Sequence, residues 1–136
     1  MPTLEVFVPG KPVPKQSARF GRGRAYQKKR ITDYHALVAS AVHNAVVTQT
    51  EDFAKMVGPV RVEIDAYWEW PKRTRKSLSS TVAPKITRPD SDNICKAALD
   101  GCSRVWVDDA QVCDLRIRKW YAPQEQVGIR IKIEAI

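Results

Sequence analysis

The apolar positions along the chain fall into stretches of two different periods. In residues 3–8, Leu4, Val6 and Val8 alternate with Thr3, Glu5 and Phe7, the period of a half-buried strand, and "PGKPVP" stops it. Residues 60–70 carry the clearest strand pattern, with Val60, Val62, Ile64, Ala66, Trp68 and Trp70 on one side and Arg61, Glu63, Asp65, Tyr67 and Glu69 on the other. Near the C-terminus, Cys113, Leu115 and Ile117 alternate with Asp114, Arg116 and Arg118. A turn opened by Ala122 and Pro123 leads to Val127, Ile129, Ile131 and Ile133, which alternate with Arg130, Lys132 and Glu134. These last two strands read as a hairpin.

Two stretches have the helical period instead. Thr32 is placed to N-cap a helix in which Tyr34, Leu37, Val38, Ala41 and Ala45 form one apolar stripe, running to about residue 47. A second helix begins at Ser91 or Asp92 and stops at Gly101, a residue suited to a helix C-terminus. The order β-α-β-α-β-β predicts an α+β domain, with two helices packed on a mostly antiparallel (mixed) four-stranded sheet. Residues 71–89 exceed the usual loop length, which marks them as a functional or partly disordered connection.

Length and composition narrow this picture. The 136 residues are expected to form one domain, residues 1–136, with one active site or binding surface. No apolar run approaches the roughly 20 residues that span a bilayer, and "MPTLEVFVPGKP" lacks the order of a signal peptide, so a soluble cytoplasmic protein is expected. Cys95, Cys102 and Cys113 form no CxxC pair and read as small buried apolar residues in a reducing compartment. His35 and His43 lie off the apolar stripe of their helix without partners at metal-ligand spacing, and a surface position suits both.

Charge changes the picture more, because it is unevenly placed. Residues 10–32 hold Lys11, Lys15, Arg19, Arg22, Arg24, Lys28, Lys29 and Arg30 and no acid. These are 8 of the 23 basic residues; the other 15 balance the 15 acids, so the net charge of +8 equals that of this one segment. A second acid-free stretch, residues 71–89, adds Lys72, Arg73, Arg75, Lys76, Lys85 and Arg88. Two basic segments on an otherwise acidic body point to a polyanionic partner, since neutralising phosphates and releasing counterions is the main sequence-independent source of nucleic-acid affinity. A solvated arm is the plainer alternative. Phe20 and Tyr26, inside the first segment, suit either base stacking or anchoring to the core.

Acids stand out against that background. Asp90 follows Pro89 and so favours an extended or turning backbone, while Asp92 sits in the first helical turn, and the two can direct their carboxylates to one point. Helix capping explains one of them and leaves the other over. Asp108 and Asp109 occupy the short "VDDAQ" turn, where aspartate is common for its own backbone hydrogen bonds. A ten-residue helix rises only about 15 Å, so the turn after it is expected to bring a third carboxylate back to the first two. Such oxygen ligands with no His or Cys nearby favour Mg²⁺ or Mn²⁺ over zinc. Carboxylates grouped in a polyanion-binding surface repel the partner unless a divalent cation bridges them to a phosphate, and that cation supplies what phosphodiester hydrolysis needs. Lys96, at i+4 from Asp92, suits either a contact to the phosphate or an ordinary ion pair on its helix.

At these residues the chain resembles the RusA family of Holliday-junction resolvases of bacteria and prophages. The resemblance rests on "RPDSDNICKAALDG" followed by "VWVDDAQV", residues 88–112, about a fifth of the chain. It implies a Mg²⁺-dependent endonuclease, bacterial or phage-encoded, that works as a homodimer on four-way DNA junctions and nicks two strands symmetrically. It also implies that Asp90, Asp92 and Asp109 bind the metal, that Lys96 assists, and that Asp108 is a less critical neighbour. The insert at residues 71–87 is longer than in the shorter members. The competing reading is a noncatalytic nucleic-acid-binding protein, in which the acids are caps and turns and the two basic segments carry the function.

Overall fold

The computed structural model describes residues 3–15, 19–21, 24–26 and 29–136, and for 19–21 and 24–26 the backbone alone. The main sheet contains β1 (Thr3–Pro9), β4 (Val60–Glu69), β5 (Ala83–Pro84), β6 (Val112–Ala122) and β7 (Gly128–Ala135), in the spatial order β1-β7-β4-β6-β5. A separate two-stranded ribbon pairs β2 (Arg19–Gly21) with β3 (Arg24–Tyr26), so the first basic segment holds a hairpin where a loop was expected. The helices are α1 (Lys29–Gln49), the single turn α2 (Lys76–Ser79) and α3 (Ser91–Gly101). The domain is α+β as expected, with five strands in the main sheet instead of four and a third short helix.

β4 is the centre of the sheet, and its alternation explains why. Val60, Val62, Ile64, Ala66 and Trp68 are buried on one face while the residues between them are partly exposed on the other. Both edges of β4 are paired, antiparallel to β7 and parallel to β6. The expected β6–β7 hairpin is therefore absent. A parallel pair needs a crossover, and α3 supplies it by connecting β4 to β6 across the buried face. The chain then passes over the end of β4 to reach β7, through a 3₁₀ turn at Gln124–Gln126, bridging two strand spacings of about 4.8 Å each. Gly128 starts β7 at φ +154°, where a Cβ would meet the Val8 carbonyl at 2.5 Å, so no other residue fits that crossing.

Both long helices lie on the same face of the sheet, α1 against β1 and α3, and α3 against β4 and β6. α1 begins one turn earlier than Thr32 implies, and it buries Ile31, Tyr34, Val38, Val42 and Ala45, leaving Leu37 exposed. The opposite face of the sheet is solvated and carries cross-strand ion pairs: Arg61 with Asp114 at 2.7 Å, and a bidentate Arg118–Asp65 pair at 2.6 and 2.8 Å. Cys95 and Cys102 are buried as expected, and burial pushes the Cys102 thiol up to about 12. Cys113 is exposed instead, because β5 pairs with β6 only at Trp120 and Tyr121 and leaves the first half of that edge strand open. His35 and His43 are exposed, and among the described residues no helix is long and apolar enough to cross a membrane.

Gly101 does more than end α3. A Cβ there would overlap the Val38 side chain of α1, so the glycine permits the two helices to approach. Gly101→Ala should destabilise the domain by about 1–3 kcal/mol, the usual cost of forcing a methyl into a packed contact. Thermal unfolding checks this, with a fall of several degrees expected and an unchanged or raised Tm contradicting it.

Candidate active site

A concavity of about 880 Å³ opens at the carboxyl ends of β4 and β6. Ligands of open sheets that contain parallel strands favour that location. Five basic side chains line it against two acids, Glu69 and Asp90. Lys11 comes from the segment after β1, Arg30 from the first turn of α1, and Lys72, Lys85 and Arg88 from the connection between β4 and α3. The excess of cations makes the cavity a site for an anion, and the presence of Asp90 among them reproduces the juxtaposition of acid and base noted in the sequence.

The long connection is built to hold this wall. Trp70 stacks on Tyr121 with ring centroids 4.9 Å apart, and its indole N–H donates to the Thr81 carbonyl at 2.9 Å. Ala83 and Pro84 pair with Tyr121 and Trp120, and the Lys85 N–H donates to the Lys119 carbonyl at 3.0 Å. The stretch is thus tied down at several points rather than a plain loop.

Asp90 takes the N-cap position of α3 with an extended backbone (φ −69°, ψ 146°), yet its carboxylate makes no capping hydrogen bond. Only its backbone carbonyl serves the helix, accepting from the N–H groups of Asn93 at 3.2 Å and Ile94 at 3.3 Å. Capping, the plainest explanation for an aspartate here, is therefore not what this carboxylate does. The turn that presents it is held from β6, since the Lys119 ammonium donates to the carbonyls of Thr87 at 2.8 Å and Pro89 at 2.7 Å. Asp92 is exposed in the first turn of α3, close enough to Cys95 that its charge, after burial, raises that thiol. Lys96 is exposed on the same helix, forms no ion pair with Asp92 and does not line the cavity.

The other acidic pair divides into two roles. Asp108 caps the 3₁₀ turn Asp109–Gln111, accepting from the Ala110 N–H at 2.8 Å, while the Gln111 side chain accepts from the Asp108 N–H at 2.7 Å. That is a complete capping box, and it accounts for Asp108 structurally. Asp109 is exposed and accepts the Trp106 indole N–H at 2.8 Å.

The two pairs do not meet within one chain. Asp109 precedes Val112, which pairs with Val60 at the start of β4, whereas Lys119, which holds the Asp90 turn, pairs with Ala66. Seven strand residues, roughly 23 Å, separate those two levels of the sheet. α3, packed against β4 and β6, and the residues that follow it carry the chain away from Asp90 before Asp109 is reached. Among the described residues no group of three or more His, Cys, Asp or Glu side chains is placed to hold a metal ion. The expected return of the third carboxylate fails in a single chain.

Of the other expected contacts, Lys11, Arg30 and Lys72 line the cavity. Lys15 pairs with Asp100 and its N–H donates to the Asn93 carbonyl at 3.0 Å, which ties the start of the basic segment to α3. Lys29 pairs with Asp33 at 3.2 Å on the surface of α1. Arg73, Arg75 and Lys76 are exposed around α2, outside the cavity. Arg22 and Lys28 lie outside the described residues, as do the side chains of Arg19, Phe20, Arg24 and Tyr26.

A family model described as endodeoxyribonuclease RusA matches residues 9–134, nearly the whole of this fold. The chain belongs to the RusA endodeoxyribonuclease family. The uncharacterized protein YqaN of Bacillus subtilis is 27% identical over 146 residues, covering 97% of each chain. The crossover junction endodeoxyribonuclease RusA of Escherichia coli K12 is 29% identical over 121 residues, covering 88% of this chain and 84% of its own. The RusA protein of Shigella sonnei is 28% identical over the same length.

Beyond the acids, this member of the RusA family places Lys85, Arg88 and Lys119 around Asp90. Lys85 and Arg88 belong to the second acid-free stretch, which was the available signal for them. Lys119 had a different one. It continues the register of Cys113, Leu115 and Ile117, so it is a lysine at a position where the strand pattern calls for an apolar residue.

Proposed function

We propose that this chain is a Mg²⁺-dependent endodeoxyribonuclease that resolves four-way DNA junctions by paired, symmetric phosphodiester hydrolysis as a homodimer. The observation that carries the proposal is the Asp90 carboxylate, free of capping duty and set in a cationic cavity. Family membership and the similarity to the crossover junction endodeoxyribonuclease RusA of Escherichia coli favour branched DNA as the substrate.

The donor set suits a hard cation, since it consists of carboxylates without His or thiolate. Mg²⁺ keeps several waters and is commonly held by one or two carboxylates plus substrate phosphates, and Asp90 and Asp92 are the carboxylates that one chain would contribute. When bound, the cation polarises the scissile phosphate and makes its water a stronger nucleophile. The residues of the chain do the rest. Lys11, Arg30 and Lys72 attract and seat the backbone, and Lys119 fixes the turn from which Asp90 projects. A site that also includes Asp109 draws that carboxylate from a second copy, because one chain holds it at the far end of the sheet. An isologous dimer would then build two equivalent sites, as symmetric nicking of a two-fold junction requires.

The separation of Asp109 from Asp90 is the one observation that favours a noncatalytic DNA-binding protein. A synthetic junction with labelled strands decides between the two readings. Paired nicks in Mg²⁺, abolished by EDTA and scarce on linear duplex, are expected of the nuclease. Binding without cleavage in Mg²⁺ or Mn²⁺ would establish the binder.

A further inference from the structure

We infer that Lys85 is a ligand for a backbone phosphate of the strand that enters the Asp90 cavity. This assigns a task to the long connection between β4 and α3, which delivers the residue directly after β5. The inference rests on the nuclease reading for the identity of the anion and on the environment of Lys85 for the contact itself.

Lys85 is the one charged residue of the described chain that is buried, at 9% exposure, and it lines the cavity. Its ammonium lies 5.4 Å from the Trp68 ring centroid and 4.9 Å from that of Tyr121, and it donates to the Thr87 hydroxyl at 2.5 Å. That hydroxyl is in turn 2.8 Å from the Tyr121 hydroxyl. Among the described residues no ion pair includes Lys85, although Glu69 and Asp90 line the same cavity.

A buried ammonium without an anion is costly, and two π faces and one neutral hydroxyl offset only part of the loss of hydration. Structure alone does not call for the charge. The connection is already held by β5–β6 pairing, by the Trp70–Tyr121 stack and by the Lys85 N–H to Lys119 bond, none of which uses the ammonium. An apolar side chain between the rings would pack at less cost. The ammonium has three donors and one identified acceptor among the described residues, which leaves donors for an oxyanion. The anion that a cationic cavity on a nucleic-acid enzyme receives is a phosphodiester. Lys96, exposed on α3, does not line the cavity, whereas Lys85 lines it together with Asp90.

The test measures affinity for a synthetic four-way junction in EDTA across a range of salt, with cleavage in Mg²⁺ measured separately. Lys85→Met keeps the length and apolar stem and removes the charge. It should flatten the log-log salt dependence by about 0.9, one phosphate contact. Junction cleavage should fall roughly tenfold to a hundredfold, as expected for a lost charge-assisted bond. Lys85→Arg should keep the parental slope. A folded Lys85→Met protein with the parental slope would overturn the inference. Should that variant not fold, the ¹⁵N-lysine spectrum of the parent replaces it: a Lys85 ammonium resonance unmoved by saturating junction overturns the assignment, and a shifted one supports it. Loss of cleavage by the parent itself would remove the nuclease reading while leaving the slope to decide on Lys85.

Discussion

Asp90→Asn and Asp109→Asn proteins, each inactive alone, should regain cleavage when their subunits are mixed. In a dimer whose sites each combine Asp90 and Asp92 of one subunit with Asp109 of the other, the mixed species holds both defects in one site and none in the other. Random exchange makes half the dimers mixed, so roughly a quarter of all sites should be intact. The products should be single nicks rather than paired ones, since each mixed dimer has one working site. If a single chain assembled the whole site, every site in the mixture would keep one defect and no activity would return. The expectation follows from the sheet register, which puts Asp109 at the Val60 end of β4 and Asp90 near the level of Ala66.

The same register shows what could be read from the chain and what could not. β1, β4 and β7 were legible because each has one buried and one solvated face, which writes a period of two into the sequence. The neighbours of β6 were not. Sequence adjacency and the turn at Ala122 and Pro123 suggest pairing with β7, but the choice depends on α3, whose crossover lays β6 parallel to β4. β5 was hidden because it is two residues long and includes Pro84, so only its pairing with β6 defines it. In α1, Leu37 fits the apolar stripe by spacing and is nevertheless exposed, because the contact with α3 centres on Val38 opposite Gly101.

At the site, the acids were visible singly and their distribution in space was not. Nothing in the spacing of Asp90 and Asp109 tells whether the 18 residues between them double back or run the length of the sheet. Packing of α3 along β4 and β6 decides that. Asp108 and Asp109 look alike in "VDDAQ", and only the Gln111 capping box separates the structural one from the one left for other uses. Lys85 carried a weaker signal still. Its burial between Trp68 and Tyr121 depends on strands far apart in the chain.

The most direct measurement compares Asp90→Asn with the parent on a four-way junction, reading cleavage in Mg²⁺ and affinity in EDTA. The substitution keeps side-chain size and removes one charged oxygen ligand, so cleavage should fall by more than about 100-fold, beyond what losing an indirect support of a metal site costs. Fold should be unaffected to within about 0.5 kcal/mol, because Asp90 is exposed and its carboxylate makes no helix-capping bond to lose. Junction affinity should be equal to the parent's or higher, since a negative charge leaves a cavity lined by five cations. A protein that binds the junction and no longer cuts it is the predicted result. Asp90→Asn cleaving as fast as the parent would contradict the assignment of this carboxylate, and with it the catalytic reading of the cavity.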